Sequence, residues 1–214
     1  MMWWSDDKIR LYEIAASASC FHDELASLIS QHLNKDETIY ELGCGLGYIT
    51  SRLNDKGYNI TGLDSDNKAI SFAKNKFPLA SYILGDAFNL DISVDVIICV
   101  FFGRLREEDN LNKLFSLCKK RIIYIQNEHA GSLETEFERS KETAEFLKQR
   151  GVTFSYTTHR LSFDQPLKDE EELSTFLSEN YKTRDINIKI EKASNGFIAR
   201  NNKAFGLFEI IKGE

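Results

Sequence analysis

Residues 38–50 read TIYELGCGLGYIT, and this stretch decides how the rest of the chain is interpreted. It begins as a short apolar run, continues into glycines at the alternate positions Gly43, Gly45 and Gly47, and ends in residues compatible with a helix. Glycine has no Cβ, so it accepts positive φ and lets a ligand approach the backbone closely. The N-terminus of the following helix offers unpaired N–H groups to an anion. The stretch therefore predicts a strand, a tight turn and a helix that together bind a small ligand.

The spacing of the glycines separates this turn from two common nucleotide-binding turns. The dinucleotide fingerprint is G-x-G-x-x-G, whose third glycine permits close packing of the helix on the strand. Gly43 and Gly45 fill the first two places, but Tyr48 occupies the third, which argues against NAD or FAD. The phosphate-binding sequence G-x-x-x-x-G-K-[ST] is absent. What remains is E-x-G-x-G-x-G, with Glu41 two residues before the first glycine.

Three further segments follow the glycine turn in a recognisable order. Residues 59–64 (NITGLD) predict a strand ending in an acid, residues 83–87 (ILGDA) predict the end of a third strand, and residues 95–100 (DVIICV) predict a buried fourth strand. Together with the glycine turn, they resemble the class I methyltransferases that depend on S-adenosylmethionine (SAM). The resemblance spans residues 38–125 and implies a SAM site at the carboxyl ends of these strands.

The resemblance assigns the parts of the cofactor to particular residues. Asp64 would hold the ribose, because an ionised carboxylate accepts hydrogen bonds from two vicinal hydroxyls. Asp86 would hold the adenine N6 amine, with the N–H of Ala87 facing the ring. Glu41 would order the glycine turn or meet the ammonium group of SAM through water. The full predicted cofactor set is Glu41, Gly43, Gly45, Gly47, Asp64, Ser65, Asp86, Ala87 and Val100.

Strands alternate with helical patterns through residues 38–125, which predicts parallel βαβ units. We therefore expect a doubly wound α/β fold with a mostly parallel seven-stranded sheet. Residues 205–211 predict its final, antiparallel strand. Residues 164–202 are longer than a hairpin requires and are expected to form an insertion, with a helix and a strand, that helps to shape the substrate pocket. Residues 1–214 are expected to form a single domain.

Residues 1–36 precede the first strand and predict two helices. The first would be capped by Asp6 or Asp7 and run to about Ser19. The second places apolar residues at helical spacing over residues 21–33. We expect this extension to act as a helical lid over the cofactor.

The extension is also rich in aromatic residues. Trp3, Trp4 and Tyr12 could cover the cofactor, although hydrophobic anchoring to the core explains each tryptophan as well. His22 and His32 are expected to lie on the outer face of the second helix. They are therefore less well placed than His129 to act in the site.

Methyl transfer from a sulfonium is an in-line displacement that depends mostly on positioning, and a base is needed only for some acceptors. A loop containing Glu128 and His129 follows the fifth predicted strand, residues 121–126, at the carboxyl end of the sheet. His129 is the first candidate base because an imidazole can titrate near neutral pH. A loop histidine bonded to the backbone is the alternative. Glu128 and Tyr12 are the next candidates, for orienting an acceptor.

Composition restricts the class of acceptor. The formal net charge is −6, whereas nucleic-acid binding usually requires a basic surface. The fourth predicted strand continues into FFGR without the Asn-Pro-Pro-Tyr motif of enzymes that methylate amide or exocyclic amino nitrogens. We therefore expect a small-molecule acceptor. An RNA or protein methyltransferase, or a SAM-binding protein without turnover, remain the alternatives.

The remaining expectations concern location, metals and assembly. The four cysteines have no metal-ligand spacing, so no metal site is predicted. Residues 1–7 (MMWWSDD) lack the apolar core of a signal peptide, and no stretch approaches 18 apolar residues. A cytoplasmic protein, monomeric or homodimeric and without a membrane partner, is expected.

Overall fold

A computed structural model of the chain describes residues 4–89, 92–103, 105–128, 137–180 and 188–213. The helices are α1 Asp6–Ser17, α2 Phe21–Ser30, α3 Tyr48–Asp55, α4 Asn67–Lys76, α5 Glu108–Leu117, α6 Glu138–Gln149 and α7 Glu170–Asn180. The strands are β1 Thr38–Leu42, β2 Asn59–Asp64, β3 Ser81–Leu84, β4 Val94–Val100, β5 Cys118–Asn127, β6 Phe154–Ser162, β7 Gln165–Leu167, β8 Lys189–Ala193, β9 Gly196–Arg200 and β10 Asn202–Ile211.

Seven strands form the main sheet in the order β3-β2-β1-β4-β5-β10-β6. The pairs among β1 to β5 are parallel, and β10 runs antiparallel to both of its neighbours, β5 and β6. The predicted fold class, a mostly parallel seven-stranded sheet with an antiparallel last strand, is confirmed.

Strand β4 shows why the fold is doubly wound. Val96 and Ile98 pack into a core shared with α2 and α3, whereas Ile97 and Cys99 pack into a second core shared with α5 and α6. Side chains of a strand alternate between the two faces of its sheet, so a strand covered on both faces is apolar throughout. This is the reason that the sequence of β4 is almost continuously hydrophobic.

The parallel register brings four strand ends to one edge. Leu42 at the end of β1 pairs with Leu63 of β2 and with Cys99 of β4, and Asp64 pairs with Leu84 at the end of β3. The segments that follow these strands therefore lie side by side. They carry most of the predicted cofactor residues.

The insertion contains a second sheet that the sequence did not predict, with strand order β7-β9-β8. Its apolar face packs with α7 and with Leu11 of α1. Polar contacts join the same parts, since Ser5 Oγ donates to Glu179 Oε2 over 2.9 Å and the Arg10 guanidinium pairs with Glu172. The N-terminal extension and the insertion thus support each other.

The predicted start of the first helix is corrected. Ser5, not Asp6 or Asp7, caps α1, because its hydroxyl accepts the N–H of Lys8 over 3.1 Å. Residues 181–187, which contain part of the strand predicted in the insertion, and residues 129–136 lie outside the described residues. Within the described part of the chain, every helix is too short or too polar to cross a bilayer.

Candidate functional site

The glycine turn joins β1 to α3 and cannot be built with larger residues. Gly43, Gly45 and Gly47 have φ angles of +69°, +51° and +78°. A Cβ on Gly47 would lie 2.7 Å from Cε1 of Tyr82 and 2.8 Å from the Cβ of Ala73, both closer than side chains pack. Glycine is therefore required here for its conformation and for its size.

Asp64, the last residue of β2, is bonded directly to the glycine turn. Its Oδ2 accepts the N–H of Gly45 over 2.8 Å, and its Oδ1 accepts the N–H of Asp66 over 2.9 Å. Asp66 in turn caps α4 by accepting the N–H groups of Lys68 and Ala69. The half-buried carboxylate of Asp64 thus fixes the glycine turn against the start of α4.

Asp86 lies at the same edge, beyond β3. The intervening Gly85 donates its N–H to the carbonyl oxygen of Asp64 over 2.9 Å, which ties the two strand ends together. The carboxylate of Asp86 is exposed and accepts from Asn89 Nδ2 over 2.9 Å. The other predicted cofactor positions vary in exposure, with Ser65 exposed, Ala87 buried and Val100 half-buried at the end of β4.

Glu41 is buried beneath the turn, with 2% of its surface exposed. The hydroxyl of Thr50 in α3 donates to its Oε2. Burial raises the pKa of Glu41 to about 7, against the lowering effect of that hydrogen bond. Of the two predicted roles for Glu41, this geometry favours ordering the turn, since the carboxylate joins the end of β1 to α3.

The raised pKa of Glu41 predicts an unusual dependence of stability on pH. The folded state keeps the proton up to about pH 7, whereas the unfolded chain loses it near the ordinary value of 4.5. Stability therefore falls as the pH rises between these values, and this group contributes a loss of roughly 3 kcal/mol. We expect Glu41→Gln to remove this component. The free energy of unfolding in urea should therefore fall less between pH 5 and pH 8 for the variant than for the wild type. Equal pH slopes for the two proteins would contradict the prediction.

Aromatic side chains cover the glycine turn. A Cβ on Gly45 would lie 3.3 Å from the indole ring of Trp4, and one on Gly43 would overlap the ring of Phe102. The backbone N–H of Trp4 donates to Asp66 Oδ2 over 3.2 Å, so the segment before α1 is attached to the same edge of the sheet. Trp4 thus lies over the turn, and it precedes the first helix, which begins at Asp6. Trp3 lies outside the described residues.

Tyr12, which is half-buried, and His22, which is buried, form a hydrogen-bonded pair next to Trp4. The Oη of Tyr12 and the Nε2 of His22 are 2.8 Å apart and share a hydrogen bond, and the His22 ring stacks on Tyr48 with 4.5 Å between centroids. Only 3% of His22 is exposed, so its prediction for the outer face of the helix was wrong. It lies in the first turn of α2, where packing against α1 and Tyr48 buries it. Burial, with smaller effects of the charges on Arg52 and Lys203, lowers the pKa of His22 to about 3, which keeps the imidazole neutral.

His32 was also predicted on the outer face of this helix. It lies beyond the end of α2, half-buried, with its Nδ1 3.0 Å from Glu209 Oε2. Its partner is in β10, so His32 helps to attach the N-terminal extension to the sheet.

Phe101, the residue after β4, has the uncommon φ of +54° for a side chain with a Cβ. Its N–H donates to the carbonyl oxygen of Ile125 over 2.9 Å, which holds the bend at the end of the sheet. The bend directs the ring of Phe101 towards Phe21 and Phe205 while the next ring, Phe102, covers Gly43. Strained backbone of this kind is often kept at functional sites.

The three predicted catalytic residues are placed differently. Tyr12 contacts Trp4, whose ring lies over the glycine turn. His129 lies outside the described residues. Glu128 is 1% exposed, and its carboxylate accepts the N–H groups of Arg139 and Ser140 over 2.9 and 2.8 Å and also the hydroxyl of Ser140. Glu128 is thus committed to the N-terminus of α6, which does not favour its predicted role in orienting an acceptor.

Comparison with known proteins extends these observations. Residues 39–122 match the family model described as a methyltransferase domain. The Bacillus subtilis protein YqeM, named provisionally as a methyltransferase, is 35% identical over 63 residues, which are 29% of this chain. That match spans about a quarter (26%) of the length of this curated relative.

Two solved structures are similar at low identity. Magnesium protoporphyrin IX methyltransferase (ChlM) of Synechocystis, solved with bound SAM, is 14% identical, with 89% of this chain and 77% of that chain covered and a TM-score of 0.52. A Pyrococcus horikoshii protein named provisionally as an RNA methyltransferase is 13% identical, with 90% and 83% covered and a TM-score of 0.57. At these identities the likeness shows the shared fold.

Proposed function

We propose that the chain binds SAM and transfers the methyl group to a small-molecule acceptor, because residues 39–122 match the family model of a methyltransferase domain. One observation carries this proposal. The carboxylate of Asp64 is bonded to the N–H of Gly45 over 2.8 Å, and Asp86 lies at the end of the neighbouring strand. The features expected to hold an amino acid, a ribose and an adenine are therefore adjacent.

The residues at this edge fit SAM chemically. Each carboxylate oxygen of Asp64 accepts one N–H and has a further lone pair for a ribose hydroxyl. The exposed carboxylate of Asp86 suits the N6 amine, and the N-terminus of α3 suits the carboxylate of the amino acid end. When bound, SAM supplies an electrophilic methyl group, and the side chains around it position the acceptor.

Aromatic rings next to the turn support a small, planar acceptor. The rings of Trp4 and Tyr12 meet edge to face at 5.5 Å between centroids, and Tyr12 is 5.1 Å from Phe163. Among these aromatic rings, the hydroxyl of Tyr12 is a polar group that can accept or donate a hydrogen bond. We assign Tyr12 to holding the acceptor and His22 to fixing the orientation of the Tyr12 hydroxyl.

The same observations bear differently on the two alternatives, an RNA methyltransferase and a SAM-binding protein without turnover. The similar fold of ChlM and of the archaeal protein named for RNA leaves the acceptor class open, but a net charge of −6 disfavours RNA. A SAM-binding protein without turnover would keep the same cofactor residues. A cytoplasmic location and a monomeric or homodimeric state stay predictions from the sequence.

The test is to measure SAM binding by calorimetry and then S-adenosylhomocysteine formation with a panel of phenols, amines, thiols and carboxylic acids. We expect turnover with at least one class, and Tyr12→Phe is expected to lower kcat/KM by about tenfold through one lost hydrogen bond. The affinity for S-adenosylhomocysteine should be unchanged in this variant.

Tyr156→Phe provides a matched control, because Tyr156 is 39% exposed on β6. Failure of the wild type to bind SAM would refute the proposal. Binding without product from any acceptor would favour the protein without turnover.

A further inference from the structure

We propose that Lys203 recognises an anionic group on the methyl acceptor, so that the acceptors are planar or aromatic acids. This inference rests on the proposed function and deepens it by naming the class of substrate. It is drawn from the surroundings of the Lys203 ammonium group, which lies among aromatic rings at the carboxyl edge of the main sheet.

Three phenylalanine rings surround the ammonium group. The Nζ of Lys203 lies 5.4 Å from the ring centroid of Phe101, 5.6 Å from that of Phe163 and 6.0 Å from that of Phe21. Ring faces attract a cation at these distances, but only modestly. Partial removal from water lowers the pKa of Lys203.

Within the described ranges, no carboxylate lies within 4.0 Å of this ammonium group. Glu128, which is near in the sheet because its N–H donates to Ala204, turns its carboxylate to α6. The side chain of Lys203 lies on the other face of the main sheet from α6. It shares that face with Phe205, because side chains alternate along β10. Lys203 is half-buried, so an anion can reach its ammonium group from solvent and would supply the partner that a partly desolvated charge favours.

The position of Lys203 relates it to the expected site of methyl transfer. Phe101, which it contacts, immediately precedes Phe102, whose ring lies on Gly43. On the other side Phe163 contacts Tyr12, and Tyr12 contacts Trp4 over Gly45. Two chains of aromatic contacts therefore connect the ammonium group to the glycine turn. An acceptor lying along these rings would place its anionic end at Lys203 and its reacting end towards the turn.

The test compares acids with uncharged analogues of the same shape. Benzoate, salicylate and 2-naphthoate are each paired with the corresponding amide, and dissociation constants are measured by calorimetry with S-adenosylhomocysteine at saturation. We expect at least one acid to bind the wild type about tenfold more tightly than its amide, as a charge-assisted hydrogen bond allows. Lys203→Met should remove this preference, and Lys203→Arg should retain it.

Lys119→Met is the matched control, because Lys119 is an exposed lysine at the start of β5, at the opposite edge of the main sheet from Lys203. It should preserve the preference for the acid. If no acid is preferred by the wild type, or if Lys203→Met keeps the preference, the inference is overturned although S-adenosylhomocysteine still binds. Failure of the wild type to bind S-adenosylhomocysteine is a different result, which overturns the proposed function and the inference together.

Discussion

Replacing Asp64 with alanine is expected to weaken the binding of S-adenosylhomocysteine by about 100-fold or more, because hydrogen bonds to a charged acceptor contribute roughly 1.5–3 kcal/mol each. The carboxylate is expected to bind the ribose, and it also holds the glycine turn through the N–H of Gly45 and the start of α4 through the N–H of Asp66. The alanine variant thus loses a ligand contact and two contacts that shape the site.

Calorimetric titration of the wild type and of Asp64→Ala measures this effect, with circular dichroism to show that the variant is folded. Asp55→Ala is a suitable control, because Asp55 is an exposed acid at the end of α3. Asp64→Asn should give an intermediate loss, since an amide retains one acceptor oxygen. A dissociation constant for Asp64→Ala that stays close to the wild-type value would contradict the assignment of Asp64 to the ribose.

The adjacency of the glycine turn and Asp64 could be predicted from sequence because the signals for it are local. The glycine turn and Asp64 are each defined by a short segment at the end of one strand, and the parallel register brings those ends together. Alternation of strands with helical patterns was enough to predict that register. The positions of Gly45 and Asp64 relative to each other follow from the fold class alone.

The region proposed to bind the acceptor depends on contacts between distant segments. His22 meets Tyr12 across two helices, and Lys203 meets Phe21, Phe101 and Phe163 from four separate elements or loops. Helical periodicity placed His22 outside because a pattern within one helix carries no information about a second helix packed against it. The positive φ of Phe101 likewise has no signal in a sequence that continues from an apolar strand.

The second sheet was missed for a different reason. Strand β7 has three residues and contains Pro166, and β9 begins at Gly196, directly after a turn at residues 194–195. A strand as short as β7 has no readable alternation, and proline is usually a signal against a strand, whereas the one strand predicted in the insertion overlaps β8. These strands are stabilised by packing against α1 and α7, which is visible only in the folded chain.

The largest loss of stability is expected from Arg121→Met, at about 3–5 kcal/mol, because this change leaves a buried carboxylate without its main partner. Arg121 donates to both carboxylate oxygens of Glu37, over 2.7 and 2.6 Å, and to the carbonyl oxygen of His32. Glu37 is 1% exposed. Burial by itself would raise the pKa of Glu37, but the hydrogen bonds from Arg121 and from the N–H of Asn34 lower it to about 2. The pair thus joins β5 to the segment before β1, at the opposite edge from the site.

Urea unfolding at pH 7 measures this loss, and the melting temperature should fall by roughly 10 °C for a chain of this size. Arg106→Met is the matched control, because Arg106 pairs with Glu142 while 42% and 55% of the two side chains are exposed. Its cost should stay below about 1 kcal/mol, as for other surface pairs. Adding Glu37→Gln to Arg121→Met should recover part of the loss, since the uncompensated charge is then removed. If the double variant were less stable than the single one, the cost would come from lost packing of the arginine and not from the unpaired carboxylate.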